Sequence, residues 1–409
     1  MSARREPRPA GTARAATAAV TITTAGVLPA YLVGVLWVQV SADLGVGPSL
    51  LGLLVATFFA TSAVSALFAG ALVRRLGTVP VVRISGLTAA LAMLVVALAA
   101  HDTAVLVAAL VGAGWGNGVG QPASNDLIAR SVSADRQGLA YGLKQAAIPL
   151  STLLAGVAIP LVAIPLGWRA AFGLGAALAL LIALSVPGAR RLGSAGSSSA
   201  PSEAAGPFRR APLYVLAAGL ALGAATGNAL GSFFVSTAVA GGIAPATAGV
   251  LAAVASGLGA LTRVAVGWLA DRIRTRWLLV VAVQMSVGGL SYALLGTGVE
   301  ALIAVGAVVG YCTGWAWAGL STYAVTRMHH GMAAQATSIT QGGMGMGAAL
   351  GPLAFGAVVS VSSYAVAWTA TAALAVLGGL VIVLGRQLLL RDRPALVAAH
   401  RRRRTATGA

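Results

Sequence analysis

The sequence predicts an all-α membrane protein with twelve transmembrane helices arranged as two six-helix pseudo-symmetric bundles. Three observations carry that prediction. Of the 409 residues 58% are hydrophobic and only 9% are charged, whereas a soluble domain needs roughly a quarter of its residues charged to keep its surface hydrated. The apolar residues fall into twelve long runs, and Lys and Arg collect in alternate connections between them. One cysteine, Cys312, excludes a disulfide framework or a cysteine metal cluster. The 53 glycines suit helices that pack closely in lipid, where hydrophobicity gives no drive for association.

A helix needs roughly 20 apolar residues to cross a hydrocarbon core of about 30 Å. Reading between charges and turn residues places the spans at 16–40, 50–72, 79–99, 103–127, 138–162, 167–188, 211–236, 245–269, 277–296, 300–325, 334–360 and 364–386. The first follows a basic lead-in, but it exceeds a signal-peptide core of about 7–15 residues and so reads as a span. An even number of crossings puts both termini on one side. With that side cytoplasmic, it holds Arg4, Arg5, Arg8, Arg14, Arg74, Arg75, Arg130, Arg136, Arg190, Arg191, Arg209, Arg210, Arg272, Arg274, Arg276, Arg327 and the tail Arg401 to Arg404. The opposite side carries Asp43, His101, Asp102, Arg169 and Glu300, so Arg169 is its one Lys or Arg. The positive-inside rule therefore predicts a multi-pass protein of the cytoplasmic membrane with cytoplasmic termini. It also accounts for the net charge of +18 without a nucleic-acid partner.

Between Pro187 and Pro212 the chain turns to Gly, Ser and basic pairs, which cannot form a core. This predicts an N-terminal bundle over 1–190, a flexible cytoplasmic linker over 191–210 and a C-terminal bundle with a basic tail over 211–409. A shift of 196 or 197 residues lays Ser124 to Arg130 over Ser321 to Arg327, Gly70 over Gly267 and Gln145 over Gln341. Parallel repeats of this kind suit two halves that rock about a central site, a need that a channel does not share.

The connection after the eighth span reads Gly267-Trp268-Leu269-Ala270-Asp271-Arg272. It resembles the loop signature of the major facilitator superfamily, and Gly70-Ala71-Leu72-Val73-Arg74-Arg75 resembles its first-half copy, with Arg74 where the family has Asp. The resemblance covers about residues 16–386. It implies gating roles for Gly70, Arg74, Gly267, Asp271 and Arg272, with Asp271 against the start of the eleventh span as a latch. Arg74 is expected to fail at the equivalent contact with the fifth. Ala140-Tyr141-Gly142-Leu143-Lys144-Gln145-Ala146-Ala147-Ile148-Pro149 is similar to the fifth span of monocarboxylate and oxalate/formate carriers. Its Lys-Gln step also resembles cyanate-type carriers, and Arg263 matches an arginine that the first group uses for a substrate carboxylate.

Lys144 and Arg263 are the basic residues well inside spans, and Arg263 precedes Asp271 by about 12 Å of helix. A buried charge at such depth faces water, a partner or a ligand, which makes both candidate solute-binding groups; snorkelling to the interface is the plainer alternative. Acids inside the spans are nearly absent: Asp126 lies at a span end within reach of Arg130. Efflux of cations needs a buried carboxylate, so two basic groups point to a small organic anion, a carboxylate, with H⁺ or a counter-anion as the coupling partner. Tyr31, Trp115, Asn117, Gln121, Asn228, Trp315, Trp317 and Gln341 are candidate pocket residues, each equally able to bond helix to helix. Glycines around Trp115 and along the eleventh span serve as hinges or as packing contacts.

The sequence thus predicts a secondary transporter working by rocker-switch alternating access, with an exporter of drugs or neutral, amphipathic metabolites as the alternative, and a channel or a receptor further off. It contains no nucleophile elbow, paired carboxylates or metal-ligand cluster, so neither enzyme activity nor a cofactor is expected. Gly342 to Gly347 lack the Lys-Ser/Thr of a phosphate loop. One chain supplies both halves, so a monomer in contact with membrane lipid suffices.

Overall fold

The computed structural model describes residues 9–132, 136–186, 210–273, 275–329 and 333–391. The expected linker up to 209, the basic tail beyond 391 and the lead-in Arg4, Arg5 and Arg8 lie outside the described residues. Twelve spanning helices are present among those described: α1 Ala16–Val35, α2 Pro48–Leu76, α3 Thr78–Ala99, α4 Thr103–Ile128, α5 Gly138–Leu166, α6 Trp168–Ser185, α7 Ala211–Ala240, α8 Pro245–Arg272, α9 Trp277–Leu295, α10 Glu300–Met328, α11 Gln335–Val361 and α12 Tyr364–Arg391. In lipid every backbone N–H and C=O must be satisfied within the segment, so uninterrupted apolar runs become helices whatever their individual propensities.

Local chemistry sets the ends. Pro48 and Pro245 open α2 and α8 at positions where no helical N–H is needed. Asp102 caps α4 by accepting from the Val105 N–H at 3.0 Å. The first predicted span is split: α1 stops at Val35 and a short helix, Trp37–Leu44, runs on to Gly45, whose φ of 66° closes it in the left-handed region. Two spans carry a π-helical stretch, Ile159–Ala163 in α5 and Gly310–Gly314 in α10. In α10 the helix resumes only at Ala318, after turns at Trp315 to Trp317.

α1 to α6 form one bundle and α7 to α12 the other. The halves meet where α5 packs along α8, α2 along α11, α1 against α7 and α10 against α5. These seams are built on glycine. A Cβ on Gly156 would stand 2.6 Å from the Gly249 carbonyl, one on Gly142 2.7 Å from the Arg263 carbonyl, and one on Gly52 2.5 Å from the Pro352 carbonyl.

The two long seams differ at the end that carries the arginines. Along α5 and α8 contact continues to Gly138 and Gly267. Along α2 and α11 it reaches Ala63 and Gly345, 3.6 Å apart at Cβ, and beyond them no described residue of the opposite half stands within 4 Å of a Cβ on Gly70 or Gly342. At the other end an outer staple ties the first bundle. Arg169 pairs with Asp43 at 2.8 Å and donates to the Ala100 carbonyl at 2.6 Å, while Trp168 donates to Asp43.

Candidate functional site

Arg263 sits where the halves meet. Its side chain is 2% exposed. One terminal nitrogen donates to the Gln145 carbonyl of α5, across the interface, at 2.5 Å, and the other to the Trp315 carbonyl of α10. Trp315 follows the π-helical stretch, so its carbonyl lies at a break in the helical ladder and accepts the guanidinium instead. The guanidinium carbon also stands 5.2 Å from the centre of the Trp315 ring.

Trp315 joins this cation to two further rings. Trp315 meets Tyr31 at 5.5 Å and Tyr311 at 5.6 Å between ring centres, both edge to face. Tyr31, from the first bundle, donates its hydroxyl to Asn228 of the second at 2.9 Å, and Asn228 donates onward to Ala224. α7 admits these rings because Gly227 and Gly231 face Trp315: a Cβ on Gly231 would come 2.5 Å from the indole, and one on Gly227 would overlap it. Two buried polar atoms, Nε of Arg263 and the Tyr311 hydroxyl, have no hydrogen-bond partner among the described residues.

Lys144, also 2% exposed, lies on the same turn of α5 as Gln145. Its ammonium donates to the Gln121 carbonyl at 3.2 Å and to the Asn125 side-chain oxygen at 2.5 Å, both on α4. Gln121 donates to Asn117 at 3.2 Å and Asn117 to Ser62 at 2.8 Å, so a line of neutral polar groups runs from Lys144 across α4 to α2. Neither Lys144 nor Arg263 has an ion pair among the described residues; the pair found there is Arg169 with Asp43. Asp126 accepts from Thr78 at 2.8 Å, and the Arg130 side chain expected beside it lies outside the described residues.

The structure therefore gathers Arg263, Tyr31, Asn228 and Trp315 into one site and sets Lys144, Gln121 and Asn117 in a second group within the first bundle. Gln341 joins neither; it donates to Thr322 of α10 at 3.3 Å. Trp317 packs on Gly223 and donates to the Gly314 carbonyl. Trp115 is 41% exposed and continues the exposed stripe of Ala104, Ala108, Val111 and Gly112, so it stands apart from the other candidate rings. A groove of about 380 Å³ between α9 and α12, lined by Leu290, Ala293, Ala372, Val376 and Leu380, has no polar side chain to orient a solute.

The gating residues bring a correction. Asp271, expected against the start of α11, lies against the start of α5: its two carboxylate oxygens accept from the N–H groups of Gly138 and Leu139, each at 2.8 Å. The packing of α8 along α5 decides this, and Gly267 beside Gly138 and Gly142 lets the backbones come that close. The seam that Arg74 borders is accordingly α2 with α11, not α5. Arg74 is exposed, its guanidinium 3.5 Å from where a Cβ on Gly70 would stand, and Arg272 stacks on Trp268 at 3.8 Å.

Sequence reasoning passed over Tyr311, Asn125 and the Gln145 carbonyl. The four-residue spacing of Gly223, Gly227 and Gly231 was the available sign that α7 receives large side chains.

The family model of the Major Facilitator Superfamily matches residues 16–241 and 216–407. No curated protein matches the sequence. Among solved structures the chain is similar to a bacterial homologue of the human lysosomal transporter Spinster in two inward-facing forms. The unoccupied form gives a TM-score of 0.74 at 18% identity over 94% of this chain and 99% of that one. The occupied form gives 0.66 at 18% over 92% and 97%. At that identity the likeness shows the fold.

Proposed function

The chain belongs to the major facilitator superfamily, and from that premise we propose that it carries an amphipathic organic metabolite across the cytoplasmic membrane by alternating access at the site around Arg263. One observation carries this reading: a guanidinium buried between the halves against Trp315, whose ring meets Tyr31 and Tyr311, with no described carboxylate paired to it and no hydrogen-bond partner for its Nε. The rings offer a face to an apolar body, and Nε with the Tyr311 hydroxyl offers donors to a polar or anionic head. A missing acid disfavours organic cations, because nothing would balance their charge in a low-dielectric site.

The narrower reading, a small carboxylate bridging Lys144 and Arg263, has less support. Both heads are already engaged, Lys144 by α4 and Arg263 by two backbone carbonyls. A solute at Arg263 gains the open Nε, not a whole free fork. The neutral, amphipathic class of solute fits that arrangement equally, since the guanidinium is held without an anion. Positive-inside reasoning sets the Asp271 end in the cytoplasm.

Quenching of tryptophan fluorescence in the purified protein tests the proposal, with amphipathic acids, neutral amphiphiles, short dicarboxylates and cationic dyes as probes. Amphipathic acids and neutral amphiphiles are expected to bind, and Arg263→Gln is expected to weaken the acids by about tenfold or more, the worth of one hydrogen bond to a charged group. Preferential binding of short dicarboxylates or cationic dyes, or an Arg263→Gln protein with unchanged affinity for every probe, would overturn it.

A further inference from the structure

We propose that Lys144 carries the coupling proton and that the α5 turn at Lys144 and Gln145 links its protonation to Arg263. The inference rests on the transporter reading above. Lys144 is buried and, among the described residues, hydrogen-bonded only to neutral oxygens, Gln121 O and Asn125 Oδ1. Arg263, equally buried and without a described acid, keeps its charge because a guanidinium does not give up its proton, whereas a buried lysine ammonium can. A group that gains and loses a proton during the cycle needs neutral partners that suit both of its forms.

The next residue gives the connection. Lys144 binds α4, inside its own bundle, while the Gln145 carbonyl receives Arg263 from the other bundle. When the ammonium gives one proton to water, its nitrogen keeps the lone pair and no other covalent bond changes. The neutral amine keeps two N–H groups for Gln121 and Asn125, but both bonds lose their charge assistance, so α5 is held less tightly to α4 at this turn and the carbonyl under Arg263 is freer to move.

The titratable and charged groups on the helices packed against α5 have other engagements or positions. Asp271 is held at Gly138 and Leu139, Asp126 is bonded to Thr78, and Arg263 to Gln145 and Trp315. Tyr31 bonds Asn228, Arg272 stacks on Trp268, Tyr323 donates to Ala270 and accepts from Arg327, and Arg14 is exposed just ahead of α1. None of them is hydrogen-bonded to the lysine. The polar line Gln121, Asn117 and Ser62 leads away from Lys144 through α4 and supplies neutral groups along which water can hand a proton on.

The test uses the full chain in lipid nanodiscs, with Cys312→Ser and spin labels on Leu76→Cys and Gln335→Cys at the arginine-rich ends of α2 and α11. Distances are measured between about pH 5 and pH 9, a range that holds Asp and Arg charged. The ratio of the two distance populations is expected to change with pH by up to about tenfold per unit, the limit for one linked proton. Lys144→Gln, which keeps hydrogen bonding without the charge, and Lys144→Arg, which keeps the charge permanently, are each expected to hold the ratio constant. Unchanged pH dependence in both variants overturns the proposal, as does a wild-type ratio that ignores pH. If the distance also stays fixed in Asp271→Asn, it is the alternating-access reading itself that falls.

Discussion

The contact of Asp271 with the start of α5 gives a quantitative expectation for Asp271→Asn. The native carboxylate accepts two backbone N–H bonds, both 2.8 Å, from a helix end where the peptide dipoles favour negative charge. Asparagine keeps one acceptor oxygen, replaces the other with an amide that repels the second N–H, and removes the charge. One hydrogen bond to a charged group contributes about 1.5–3 kcal/mol and the helix end about 0.3–1 kcal/mol. Asp271 is half-buried, and solvent screening reduces both. A net loss of about 1–3 kcal/mol shifts the balance between states by about 5- to 150-fold. Spin labels across the α5–α8 seam at its arginine-rich end read that balance, and Asp271→Asn is expected to populate a longer distance. Arg74→Asp tests the same idea with the opposite sign, since an acid at the α2–α11 seam is expected to draw Gly70 and Gly342 together. An unchanged population in Asp271→Asn would refute the latch.

Two further expectations concern packing. Gly227→Ala puts a methyl inside the Trp315 indole and is expected to destabilise the protein by about 1–3 kcal/mol. Gly112→Ala, where a Cβ meets nothing within 4 Å, is expected to be neutral or slightly stabilising by the helix propensity of alanine; thermal unfolding in detergent compares the two. Asp43→Asn breaks the outer pair with Arg169. Both side chains are partly exposed, so stability is expected to fall by under about 1 kcal/mol at low salt, read as a small drop in unfolding temperature, and hardly at all at high salt.

Much of the fold was legible in the sequence. The expected and observed spans agree closely, as at 277–296 against Trp277–Leu295 and 103–127 against Thr103–Ile128. Hydropathy and length act locally, and the bilayer forces each long apolar run into a helix. Lys144 and Arg263 stood out for a similar reason: a basic side chain within an apolar run is conspicuous without any knowledge of its neighbours. Trp115 and Trp315 could not be separated in that way. Both lie in mid-span beside glycines, yet Trp115 is exposed and Trp315 is closed in between Gly227, Gly231 and Arg263.

The sequence by itself determined that this protein crosses a bilayer twelve times, which end of it is basic, and which two basic residues lie well inside their spans. Only the tertiary structure decided which helix each of those groups meets: Asp271 with α5 and not α11, Lys144 with α4, Arg263 with Gln145 and Trp315. In water an apolar stripe tells a helix which way to turn. In lipid both faces are apolar, so helix rotation and pairing follow from the close fit of glycines, rings and hydrogen bonds across the whole chain.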